Sequence, residues 1–308
     1  MRRIILLLMI ISSLSLAIEI QYGSGTFSMK GGFLGLTGSI ETDVKTFTVA
    51  NRHNNLFDSN TFYGYDFTWY DSANMKQVQH TYNDMATTVN DFLPISSSWE
   101  IPSMSHRLKG LDANVRLGYD ILHKNEDNFL GLGLLLGLSV PWIDSSTDDD
   151  VKPSFGFIRD NADNLETVND YFKASKTTIM TYKFGPTINF QKTLIDDKLS
   201  IYGIASLAYQ TGYIKNDYIK SKFAVNGTFQ EVNVGLYFTP FTEKYELGWL
   251  TFSPRIYTVL GYKYSKWDVN ELLINISGAE MSSKILDSLG TKFGMDSSIG
   301  YLGIGYSF

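Results

Sequence analysis

The last thirteen residues, DSSIGYLGIGYSF, constrain this chain more than any other stretch. From Gly300 onward, Leu302, Ile304, Tyr306 and Phe308 fall on one side of an extended strand, and Tyr301, Gly303, Gly305 and Ser307 fall on the other. A period of two, apolar on one face and small or polar on the other, marks a β-strand lying between two different environments. Chain termini are ordinarily frayed and polar, yet this one stays apolar to its final residue.

The same period recurs upstream. Leu111, Ala113, Val115, Leu117, Tyr119 and Ile121 interleave with Asp112, Asn114, Arg116, Gly118 and Asp120. Leu130, Leu132, Leu134, Leu136 and Leu138 alternate with Gly131, Gly133, Leu135, Gly137 and Ser139, which suits a strand facing lipid on one side and a crowded interior on the other. Further alternating runs occur over 63–69, 180–190, 199–213 and 231–238, and over 250–264, where Arg255 and Lys263 oppose the apolar set. The stretches 18–28 and 36–50 alternate more weakly. About ten strands result, with eight or twelve still open. The turns near 123–128, 192–198 and 240–245 are short, whereas 71–109, 141–175 and 268–295 are long. A ten-strand count puts the three short turns at one end and the three long segments at the other.

The N-terminus reads MRRIILLLMIISSLSLA, with a basic start at Arg2 and Arg3, an apolar run over 4–11 and a small-x-Ala site ending at Ala17. This is the pattern of a cleaved secretory signal peptide, too short for a stable membrane span. Losing Arg2 and Arg3 moves the formal net charge from −6 to −8. After residue 17 the greasiest run, 130–140, is about half of what a spanning helix needs. An exported chain of this kind either is soluble or crosses a membrane with strands. The absence of cysteine excludes a disulfide scaffold and a lipidated N-terminal Cys. An aromatic content of 14% fits interfacial girdles, although a tyrosine-rich soluble β-sandwich would share it. The acidic balance argues against nucleic acid as a partner, because no basic patch is available to displace counterions from phosphates.

The terminal run Leu302, Ile304, Tyr306 and Phe308 resembles the closing strand of bacterial outer-membrane β-barrels, in which a final Phe serves as an assembly signal. That resemblance implies an all-β, antiparallel up-and-down transmembrane barrel over 18–308, in contact with outer-membrane lipid and handled by the barrel-assembly machinery. Its inner face would then carry Glu41, Asp43, Lys45, Asp66, Asp112, Arg116, Asp120, Lys183, Glu231, Arg255 and Lys263. Buried charges must be paired or wet, since desolvating a lone ion costs several kcal/mol. These residues either fill a small barrel with ion pairs or form a charged constriction selecting small solutes. About ten strands lies near the filled end of the size range, because open aqueous channels belong to barrels of about sixteen strands or more.

Two long segments carry helical spacing. Met75, Val78, Tyr82, Met85, Val89 and Phe92 mark a stripe over 74–92, and a shorter helix is expected over 280–289. The acidic segment 141–175 lacks the ordered spacing and central Gly of a calcium loop and reads as a solvated loop. No cofactor or metal is expected. Outer-membrane proteases of the omptin type set a His–Asp pair and an Asp pair over the barrel mouth. His106 with Asp144 or Asp148 is a candidate by position, but no local motif matches. Ser103 or Ser105 beside His106 is the equivalent candidate for a phospholipase. The leading expectation is a narrow channel or transport-related barrel for small solutes. The alternative is a closed barrel that displays loops for adhesion or ligand binding, with an outer-membrane hydrolase as the outside case.

Overall fold

The computed structural model describes residues 18–33, 36–55, 60–72, 76–78, 104–123, 128–146, 175–195, 198–216, 222–241, 243–247, 250–252, 255–276, 279–281 and 292–307. Ten long strands dominate: β1 (Ile18–Phe33), β2 (Leu36–Asn55), β3 (Thr61–Asp71), β4 (Met104–Asp120), β5 (Asn128–Ser146), β6 (Ser175–Ile195), β7 (Leu199–Asn216), β8 (Lys222–Phe238), β9 (Ile256–Ile276) and β10 (Lys292–Tyr306). Each pairs antiparallel with its neighbours in chain order. The sheet closes where β10 pairs with β1, from Ile18 opposite Tyr306 to Gly32 opposite Lys292. Closure removes the unpaired edges that an open sheet would present. The result is an all-β, up-and-down antiparallel barrel with both described chain ends at one rim, and the long connections 72–103 and 147–174 at the other.

Alternation decides which residues face inward. On β6, Thr181, Lys183, Thr187 and Asn189 are buried while Tyr182, Phe184, Ile188 and Phe190 are exposed. On β10, Tyr301 is buried while Leu302 and Ile304 are among the most exposed apolar residues of the chain, at 61% and 63%. Apolar side chains on the outside and polar ones inside invert the soluble pattern, and this is the arrangement a lipid-facing barrel requires.

The structure departs from the sequence expectations in four places. On β2, Thr42, Val44, Thr46 and Thr48 are the inward residues, and Glu41, Asp43 and Lys45 point outward. At 20 residues β2 is about twice the length a crossing strand needs. Its outer face therefore turns polar beyond the apolar belt, and polarity there does not report the lumen. Residues 250–252 do not belong to β9: Leu250–Phe252 pairs with Tyr245–Leu247 in a small separate hairpin. The connection 239–255 is thus not a tight turn, and Arg255 sits exposed just before β9 instead of in the lumen. Within the segment expected as a helix over 74–92, Lys76–Val78 is a strand paired with β4 opposite Met104–His106, and the remainder lies outside the described residues. Likewise Ala279–Met281 extends β9 as a short pair opposite Ile274–Ile276, and 282–291 lies outside the described residues. At 76–78 and 279–281 the edges of the strands projecting beside them offer backbone hydrogen bonds, and the chain is extended there.

Candidate functional site

The lumen is stacked in three levels along the barrel axis. Nearest the long connections is an apolar layer built from inward residues of nearly every strand, including Phe27, Val44, Tyr70, Leu108, Ile143, Ile179, Phe229, Trp267 and Met295. Its aromatic rings touch across the interior: Phe27 lies 6.0 Å from Tyr70 and 5.9 Å from Trp267, and Trp267 lies 5.3 Å from Phe229, centroid to centroid. Near the rim with the chain ends, Tyr202, Val259 and Tyr301 pack with Tyr237 and Tyr257. There the Tyr301 hydroxyl donates to Asn233 Oδ1 at 2.5 Å and also meets the Tyr202 hydroxyl. Phe62 and Phe129 stack edge-on nearby at 5.2 Å.

Between these layers lies an ionic cluster. Along the inner face of β8, Glu231 follows Phe229 and precedes Asn233 and Tyr237, and along that of β9, Lys263 lies between Tyr257 and Trp267, with Ser265 next to it. Arg116 on β4 donates to Asp66 on β3 at 2.6 Å and to Glu231 on β8, four strands away around the wall. Lys263 Nζ lies 3.0 Å from Asp66, 3.2 Å from Glu231 and 3.9 Å from Asp112. Lys183 Nζ lies 2.5 Å from Asp112 and 4.1 Å from the Phe229 ring centroid. Asn114 Nδ2 donates to Asp66 and Asp112, both at 2.8 Å. Ser139 donates to Asp112 and accepts from Trp267 Nε1 at 3.0 Å, joining the ionic and apolar layers.

Three cations meet three carboxylates, so the cluster is neutral. Asp66, Asp112, Arg116, Glu231 and Lys263 each make more than one short polar contact, and Lys183 makes one with Asp112 beside the Phe229 ring, so the desolvation of the cluster is offset within it. The oxygens of Asp66, Asp112 and Glu231 come within 4.8 Å of one another, close enough to hold a metal ion. Arg116, Lys183 and Lys263 supply that positive charge instead. A cavity of about 10 Å³ borders Asn51, Asp66, Arg116, Asn233 and Lys263, room for about one water molecule. Asn51 Nδ2, Asn114 Oδ1 and Arg116 Nε make no hydrogen bond among the described residues.

The fold therefore gathers Asp66, Asp112, Arg116, Lys183, Glu231 and Lys263 into one unit and separates two other candidates from it. Asp120 is buried on the same inner face but accepts from the Leu122 and Leu130 backbone NH groups, shaping the turn that ends β4. Arg255 is at the rim. Asn114, Ser139 and Trp267, which carry no charge to mark them in the sequence pattern, join the cluster. Trp267 follows Lys263 by four residues, so the same parity points it inward, but its apolar character hides the part played by its ring NH. Of the terminal run, Leu302 and Ile304 face outward, Tyr306 is partly exposed, and Phe308 lies outside the described residues. Register places Asp144 opposite Arg107 and Ser145 opposite His106. His106 and Asp144 are therefore one position apart in the β4–β5 register, and Asp148 and Ser103 lie outside the described residues.

No protein-family model matches the sequence, and no curated protein matches it. Among solved structures, the outer membrane protease OmpT from Escherichia coli is similar over 96% of this chain and 98% of its own, with a TM-score of 0.52 at 9% identity. The translocator domain of autotransporter NalP from Neisseria meningitidis matches over 100% and 95% of the two chains, with a TM-score of 0.34 at 8% identity. Ail, the attachment invasion locus protein of Yersinia pestis, matches over 95% and 100%, with a TM-score of 0.27 at 9% identity. The chain is a ten-stranded antiparallel β-barrel with the architecture of Gram-negative outer-membrane proteins, and no narrower family is assigned.

Proposed function

We propose that the protein is an outer-membrane barrel closed to solutes, whose working surface is the set of long connections at one end. Residues 1–17 act in this reading as the export signal, the rim with the chain ends faces the periplasm, and 72–103, 147–174 and 277–291 face outward. The observation that carries it is the neutral cluster in which Arg116 spans the lumen to Glu231, packed between two apolar layers. A solute path needs a continuous wet corridor with sites weak enough to leave. The cavity bordering the ionic cluster has room for about one water molecule, and the levels on either side are aromatic. The barrel wall is then a scaffold, and binding to a surface ligand or partner falls to the connections, where function commonly concentrates. The channel reading is the weaker one on this geometry. The OmpT likeness is one of fold alone, so its protease activity is not carried over.

The test is electrical. Purified, folded protein in planar bilayers is expected to stay silent, and stepwise conductance from the wild-type barrel would overturn the closed reading. The display half is tested by replacing residues 79–100 with a short Gly-Ser linker. Outer-membrane levels should hold while attachment of expressing cells to matrix-coated plates falls. Unchanged attachment would remove that half of the proposal.

A further inference from the structure

The apolar belt on the outside of the wall is uneven in height. Along β5 every outward position from Leu130 to Trp142 is apolar, thirteen residues without a polar interruption. At ~3.3 Å per residue that is about 40 Å of strand, and about 30 Å of height at a tilt of roughly 40°. Around the closure the belt is much shorter. On β1 it runs from Ile18 to Tyr22 and gives way to exposed Ser24. On β10 it runs from Tyr306 to Leu302 and gives way to Gly300 and Ser298. Three outward positions on each strand cover only about 10 Å of height by the same geometry. On β2 the belt stops at Phe47, and exposed Lys45 follows.

Both stretches start at the rim that carries the chain ends, so the difference lies wholly at the opposite edge. The polar face then continues upward at the seam, where Ser28 Oγ donates to Asp296 at 2.8 Å and Lys30 lies 3.9 Å from the same carboxylate. A hydrocarbon layer about 25 Å deep fits β5 well. Against β1 and β10 the same depth would lie on Ser24, Ser298 and Lys45, and hydrocarbon offers these groups no hydrogen bonds. The backbone at the seam is fully paired, so an open strand edge is not the cause. Thinning a bilayer costs only fractions of a kcal/mol per Å, and beyond Tyr22 and Leu302 the outward positions Ser24, Thr26, Ser28, Gly300, Ser298 and Asp296 are all polar or small.

We propose that the β10–β1 seam is a lipid-thinning surface: the bilayer stands at full depth against β5 and dips in its outer leaflet beside the seam. This inference rests on the outer-membrane reading above and adds a side-specific lipid contact to it.

The chain has no cysteine, so single-cysteine variants report cleanly. Leu134→Cys, Val140→Cys, Ser24→Cys and Ser298→Cys are folded as full barrels into dioleoylphosphatidylcholine vesicles and exposed on both sides to a membrane-impermeant maleimide. Leu134→Cys and Val140→Cys should be protected. Ser24→Cys and Ser298→Cys should lose that protection, although both lie nearer the chain-end rim than Val140. Protection of both seam variants equal to that of Val140→Cys would overturn the proposal, whether lipid of full depth or a second copy covers them. A disulfide-linked dimer of Ser24→Cys would identify the second copy. Rapid labelling of Val140→Cys would overturn it in the other direction, by showing a level boundary set at the low side. Labelling of Leu134→Cys as well would sink the membrane-barrel reading itself, a distinguishable outcome.

Discussion

Arg116 makes two charge-assisted contacts, to Asp66 and Glu231, with a relative exposure of 1%. Replacing it leaves two buried carboxylates with Lys263 as their remaining shared cation. Arg116→Met should therefore cost about 3–5 kcal/mol of stability, read from urea unfolding of the barrel in micelles. Adding Glu231→Gln to that variant should recover part of the loss, since the excess negative charge is removed along with its partner. A single-variant loss below about 1 kcal/mol would place the cluster in the range of solvent-exposed pairs. This site was partly readable beforehand. Inward parity and charge pick out Asp66, Asp112, Arg116, Lys183, Glu231 and Lys263. Spacing along single strands, however, does not say that residues of β3, β4, β6, β8 and β9 meet at one level.

At the scale of strands, the wall answers to two different solvents, and substitutions should separate them. Leu136 is 48% exposed at the middle of the β5 belt. Leu136→Arg should cost about 2–4 kcal/mol in lipid vesicles. Asp43→Arg, on the outer face of β2 beyond the belt, should stay within about 0.5 kcal/mol. Equal costs at the two sites would contradict the assignment of the belt. The inner face imposes a steric rule as well. A Cβ at Gly110 would meet the Tyr70 ring at 2.5 Å and the Pro141 Cα at 2.9 Å. Tyr70 faces Gly110 across the β3–β4 pair, so the glycine makes room for a ring of the upper apolar layer. Gly110→Val should displace Tyr70 and cost about 1–3 kcal/mol as overpacking, seen as a lower fraction of heat-modifiable folded protein on cold gels. Wild-type folding yield for that variant would mean that Tyr70 is free to move. The polar outer face of β2 belongs to this scale too. Glu41, Asp43 and Lys45 look like lumen residues only if the strand ends where the membrane does.

For the molecule as a whole, the pairing of β10 with β1 closes the sheet, and the terminal run that resembles an assembly signal includes Phe308. Deleting Phe308 should lower the amount of barrel in the outer membrane, measured by fractionation, while protein that does insert keeps wild-type stability. Normal outer-membrane levels for the truncated chain would remove the assembly role given to the terminal run. Closure also sets the capacity of the interior. With ten strands the opposing walls are near enough for Arg116 to reach Glu231 directly, so side chains alone can fill the lumen. A wider barrel of the same inner composition would leave those residues lining a wet channel.

Alternation along 111–121, 130–138 and 296–308 is enough to specify strands with one apolar and one polar or small face, because side-chain direction in a strand follows from backbone geometry alone. The number of alternating runs gives about ten strands, and connection lengths add which rim carries the long segments. What alternation cannot specify is height. Whether Glu41 lies above the belt, whether Arg255 lies below the wall, and whether six charges meet at one level depend on strand tilt and on the register of every neighbouring pair. Those quantities exist only once the sheet has closed. The uneven belt has the same origin. Leu130–Trp142 and Ile18–Tyr22 are each ordinary strands by themselves, and their difference in height becomes a property of the protein only when closure puts them on one cylinder.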